Sequence, residues 1–211
     1  MKLKKFIFCF LIPVFLLFVG CKPYNTLLEA VYDKDQEVRQ WTAGMAEASA
    51  EETIKHEAEM RKTDSLNQIL ISYILDEKGW PEGLSDKANQ GIWLVIDHAD
   101  DAFRKKYLPL VKAKAEEGIL AKSDYATLYD RVLMNEGKAQ IYGTQIHMAA
   151  EFVGDQFCMQ LYLWPVEDIS KLDSLRKEAG LSPIEDYLAK TDSLFGQKVV
   201  WDKTKTVEDF L

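Results

Sequence analysis

The apolar residues of this chain keep a helical spacing from Leu27 to about Gly137 and then switch to a period of two. In Gln156–Trp164, Phe157, Met159, Leu161 and Leu163 alternate with Gln156, Cys158, Gln160 and Tyr162, the pattern of a half-buried strand. Gln140–Met148 reads as its partner, and Gly154-Asp155 supplies turn chemistry between the two. Two strands alone are not stable in water, so the hairpin must lie against the helices. The class that follows is α+β and mainly helical: about six helices, with one antiparallel β-hairpin over 140–164 packed on them.

The helices are bounded by ordinary cap chemistry. Asn25 or Thr26 can cap a first helix carrying Leu27, Leu28, Val31 and Val38. Ala43–Lys62 is rich in Ala, Glu and Lys and reads as an exposed helix or connector. Ile69, Leu70, Tyr73 and Ile74 form the next helix, stopped at Lys78-Gly79 before Pro81. Gln90–Lys114 reads as one long helix with the stripe Ile92, Ile96, Ala99, Phe103, Tyr107 and Leu110. Ser123 is expected to cap a helix that ends at Gly137, and Gly180 to close one over Asp168–Ala179. Ser182-Pro183-Ile184-Glu185 reads as a capping box opening a last helix to about Leu194. Residues 196–211 read as a polar tail in which Val199, Val200 and Trp201 can dock.

The first twenty residues are not part of this fold. Lys2, Lys4 and Lys5 precede Phe6–Val19, which holds no charge and is too short to span as a free helix. The run ends in Leu17-Phe18-Val19-Gly20-Cys21, similar to the lipobox at which bacterial lipoproteins are cut and lipidated. Residues 1–20 are therefore expected to be a signal peptide, Cys21 a lipidated anchor and 21–26 a tether, with a single domain over 27–195. Such a chain sits in the bacterial cell envelope and meets a membrane through its lipid. Residues 1–20 hold three Lys and no acid, so the 26 basic and 34 acidic residues of the whole become a net charge of −11 after cleavage. That balance excludes phosphate-backbone binding, and hence nucleic acid, as the main task. Cys9 leaves with the leader, and Cys158 then has no thiol partner for a disulfide or a metal site; it reads as a small core residue on a strand.

A few polar residues sit where burial is expected. His98 follows the all-round apolar segment Ile92–Ile96, as either a bonded core histidine or a general base in a cleft. Asp130-Arg131 flanks an apolar helix face, where an ion pair between helices is the bland reading. Asp35 and Arg39 are spaced to pair along one helix, and Asp64 and Asn67 share a helix face. In Gln140-Ile141-Tyr142-Gly143-Thr144-Gln145 a glycine interrupts the strand, and its amides and phenol suit either a polar ligand or a hydrogen-bonded seam. There is no Gly-rich phosphate loop, His-Glu-x-x-His motif, Cys pair or Gly-x-Ser-x-Gly elbow, so no metal and no cofactor is indicated.

An ordered set of short motifs carries a resemblance. Asp35-Gln36-x-x-Arg39, Asp64-x-x-Asn67, Gly79-Trp80-Pro81, His98-Ala99-Asp100, Asp130-Arg131, Gln140-x-Tyr142-Gly143-Thr144-Gln145, Pro165-Val166-Glu167-Asp168 and Arg176…Gly180-Leu181-x-Pro183 occur in that order. Together they resemble the bacterial domain-of-unknown-function family 6624, from about Leu28 to Tyr187. The chain departs from that pattern at Asp97, where Gln is expected, at Ile169, where Pro is expected, and in the polar insert Ala43–Arg61. The resemblance implies no activity. It does imply which polar residues belong together: His98, Asp130, Arg131, Asp64, Asn67, Gln140, Tyr142 and Gln145, with Asp35, Arg39 and Trp80. Two readings follow. One is an uncharacterised envelope lipoprotein that binds an envelope protein or small polar ligand through a polar seam or shallow pocket. The other is an envelope hydrolase-like enzyme, with His98 as general base oriented by Asp130 or Asp64, Arg131 neutralising an anionic group, and water as the nucleophile.

Overall fold

Seven α-helices and three strands make up the described residues, 22–40, 48–153 and 156–211, of a computed structural model. The leader, Cys21 and the Gly154-Asp155 turn lie outside them, as does the start of the Ala43–Lys62 segment. The class is the expected one, α+β and mainly helical, but the hairpin belongs to a three-stranded sheet.

Helices α1 (Lys22–Gln40), α2 (Ala50–Lys78), α3 (Asp86–His98), α4 (Asp101–Glu116) and α5 (Lys122–Asn135) enclose one core. Leu28, Ile71, Ile74, Ile92, Ile96, Val111 and Leu128 fill it. Helices α1 and α3 approach closely at Gly91, where a Cβ would stand 2.5 Å from the Leu28 carbonyl oxygen. Several boundaries differ from expectation. Asn25 and Thr26 lie inside α1 rather than capping it; the Asn25 side chain instead accepts from Ser85 N at 2.7 Å. From Ala50 onward the connector is part of α2, which Ser49 and Glu52 open with a capping box. Gln90–Lys114 is two helices. Asp100 accepts from Phe103 N at 2.9 Å, and this cap ends the run that the apolar stripe alone would continue. Arg104 Nε then donates to the Asp97 carbonyl at 2.9 Å, using an acceptor at the end of α3. Asp124, not Ser123, caps α5, accepting from Ala121 N.

A second, smaller core joins the sheet to α6 (Leu172–Glu178) and α7 (Ile184–Phe195), through Leu161, Leu163, Leu172, Ile184, Leu188 and Val199. Strands β1 (Ile146–Val153) and β2 (Gln156–Leu163) pair antiparallel, with Ile146 opposite Leu163. Val199–Val200 docks as β3, parallel to β2. Past β3, Phe210 packs on the rings of His147, Tyr162 and Trp164. Cys158 is half-buried on β2, on the face opposite Leu161 and Leu163, and so is not a core residue. The α6 helix is shorter than Asp168–Ala179. The start of α7 is capped from outside, by Asp173 accepting from Ile184 N at 2.9 Å, rather than by Ser182. The first strand begins at Ile146 and not at Gln140, because residues 141–144 are held in a turn by side chains from both cores.

Candidate functional site

The sequence-derived residues fall into two groups. In the first, α1, α2 and α3 bring together Asp35, Arg39, Asp64 and His98. Arg39 bridges Asp35 at 2.8 Å and Asp64 at 2.9 Å, and His98 Nδ1 lies 3.0 Å from Asp35 Oδ1. Burial alone would push the Asp35 carboxyl up, but the His98 ring and the Arg39 guanidinium outweigh it and hold it below its ordinary 3.8. The ionised Asp35 carboxylate can only accept, so Nδ1 is the donor in this contact. Asn67 lies one turn after Asp64, with Nδ2 sealed and without an acceptor among the described residues. The expected orientation of His98 by Asp130 or Asp64 is corrected: its partner is Asp35, which stands opposite it on α1, while Asp64 meets Arg39.

Asp130 belongs to the second group. It is fully buried on α5, and its carboxylate accepts from Ile141 N, Tyr142 N, Thr144 N and Thr144 Oγ1 at 2.8–3.1 Å. Burial pushes this carboxyl up and the backbone donors pull it back. Only the ionised form can accept from all these donors at once. It is not the interhelical ion pair expected from Asp130-Arg131, because its oxygens are taken up by the turn. On the other side of the same turn, Arg176 of α6 donates Nη1 to the Tyr142 and Gly143 carbonyls and Nε to the Ser182 carbonyl. The peptides of 142–144 are thus clamped between an anion on their N–H side and a cation on their C=O side. Gly143 takes φ +66° there, a conformation that favours glycine. Gln140 completes the seam. Its amide donates to the Gln145 and Trp164 carbonyls and accepts from Gln145 N.

Arg176 was missed in the sequence as a site residue. The detectable signal was an arginine on the Leu172–Ala179 apolar face of a short helix. It is 1% exposed, stacks on the Tyr187 ring at 4.9 Å, and has no carboxylate in ion-pair contact among the described residues. Burial pushes its guanidinium down from its ordinary value, partly offset by Tyr187, Asp173 and Asp130. Nη1 is used by the turn and Nε by the Ser182 carbonyl, whereas Nη2 has no acceptor among the described residues.

Arg176 reaches the wall of a cleft of about 530 Å³ between α5, the turn, α6 and α7. Arg131, Arg176 and Lys190 line it and no Asp or Glu does, although acids outnumber bases in the whole chain. Arg131 is held from behind by Asp97 at 3.3 Å, with Nε and Asp97 Oδ1 both sealed without partners. Gln145, Thr144 and Tyr187 add polar groups, while Ile146, Leu181, Leu194 and Phe195 supply its apolar part. Tyr142 faces a different, smaller cleft of about 200 Å³ whose wall mixes Lys112 and Lys122 with Glu116 and Glu178. Neither cleft has His98 in its wall. Among the described residues no three His, Cys, Asp or Glu side chains gather as a metal ion would need, and no helix is long and apolar enough to cross a membrane.

Comparison with known families places the pattern. The chain belongs to DUF6624, a family of unknown function, which matches residues 24–200. No curated protein and no solved structure matches it.

Proposed function

We propose that this DUF6624 chain is a binding module, and that its site is the Arg131–Arg176–Lys190 cleft, which takes a small anionic ligand. The observation that carries the reading is the lining: three cations, no carboxylate, and one of the cations buried without a counter-ion in contact. A buried arginine with an unused fork edge suits a carboxylate or phosphate. The volume lies in the range of small-molecule clefts. The leader pattern and Cys21 support a lipid tether to an envelope membrane, which would hold this cleft near that surface.

One contact favours the hydrolase-like alternative. Asp35 orients His98 through Nδ1, leaving Nε2 to act on water. Arg39 shares the same Asp35 oxygen, so that carboxylate is not reserved for His98, and Asp130 is committed to the turn. The two readings place an anion at different cations. The phosphate-dependent rise in melting temperature, at matched ionic strength, is compared for the unaltered chain, Lys190→Glu and His98→Gln. General salting effects cancel between them. The binding reading expects Lys190→Glu to lose the rise and His98→Gln to keep it. The opposite result would support the enzyme.

A further inference from the structure

The cleft is graded along α7. Tyr187, on which Arg176 stacks, comes first, then Lys190 and Thr191, then Leu194 and Phe195. At the rise of a helix, Lys190 lies about 6–8 Å, and Tyr187 about 10 Å, from the apolar end along the axis. Leu194 is 79% and Phe195 54% exposed, so the last turn of α7 presents apolar surface that the protein itself does not cover. Just past the helix, Gln197 Nε2 donates to the Met159 carbonyl at 2.6 Å, which ties the end of α7 to β2. At the other end, Arg176 Nη2 has no anion in contact among the described residues, and Arg131, paired with Asp97 on one side, keeps a side chain 30% exposed.

We infer that the cleft takes a monomeric amphipathic anion, an oxyanion headgroup on a short apolar tail. The headgroup sits between Arg131, Arg176 and Lys190, and the tail lies along Leu181, Leu194 and Phe195. This rests on the binding reading above and names its ligand class. A free inorganic anion would leave the apolar rim unused, and a neutral lipid would leave the buried guanidinium uncompensated. A whole bilayer does not fit a site of about 530 Å³.

Octyl phosphate below its micelle concentration is titrated into the full chain by calorimetry, beside octanoate, inorganic phosphate and octanol. The expected result is binding of octyl phosphate about tenfold or more tighter than of phosphate, since two or more buried methylenes suffice for that factor, and likewise tighter than of octanol, which has the same tail but no charge to meet the cations. Octanoate should follow the same order. Lys190→Glu and Phe195→Ser, both exposed and so harmless to the fold, should each weaken octyl phosphate by about fivefold. The same change on α2, Ile69→Ser, should not. Equal binding of phosphate and octyl phosphate, both sensitive to Lys190→Glu, would overturn the amphiphile while leaving the anion site. Octanol binding as tightly as octyl phosphate, indifferent to Lys190→Glu, would overturn both. So would the absence of any binding.

Discussion

Two aspartates on apolar helix faces have different work. Asp35 is held by a histidine and an arginine, and Asp130 by the backbone of a turn. Replacing Asp130 with Asn turns an amide NH₂ toward buried donors. Each orphaned donor costs about 1–3 kcal/mol, so urea unfolding should report a loss of about 3 kcal/mol or more. A near-neutral result would mean that the turn does not depend on the carboxylate. Asp35 carries a pH signature. Its folded value is depressed, so its stabilisation is present above 3.8 and is lost as pH falls below it. The acid limb of the stability curve should therefore flatten in Asp35→Asn, and an unchanged limb would contradict the assigned contacts. The sequence made these residues visible as polar groups on apolar faces. It did not say what each one meets, because partners such as His98 for Asp35 are 63 residues away in the chain. Arg176 was visible as a member of a motif, but its role was not, because its acceptors are carbonyls, which no residue type announces.

At the scale of elements, most helices were legible because their apolar spacing and terminal glycines agreed. Gly79, Gly137 and Gly180 all take positive φ at the expected ends. The failures came where a polar side chain overrode periodicity. Asp100 cuts one helix into α3 and α4, and Asp130 and Arg176 pull 141–144 out of a strand. Close packing of α1 on α3 gives a prediction with an unusual sign. Alanine normally stabilises a helix over glycine by about 1 kcal/mol. At Gly91 the new Cβ would meet the Leu28 carbonyl oxygen, a backbone atom that cannot rotate away. Gly91→Ala should therefore destabilise by about 1–3 kcal/mol, read by thermal unfolding. A stabilised variant would show that the two helices can part freely.

Across the whole molecule, two apolar cores meet at a polar seam. The Asp130–turn–Arg176 clamp is that seam, and the cationic cleft opens beside it. The family pattern makes sense in this frame: its motif residues are mainly joints, and Arg131 and Gln145 are the sequence-derived candidates that also line the cleft. The proposed tether is tested separately. Cys21→Ser should move the chain from the detergent-rich to the aqueous phase in a partition assay, and unchanged partitioning would remove the lipid from the account. The most direct measurement is a map of backbone amide shifts as inorganic phosphate is titrated into the chain. The account predicts saturable shifts gathered at Thr144, Gln145, Ser182, Lys190 and Thr191, absent in Lys190→Glu. Shifts centred on Asp35, Arg39 and His98 instead, or none that saturate, would contradict it.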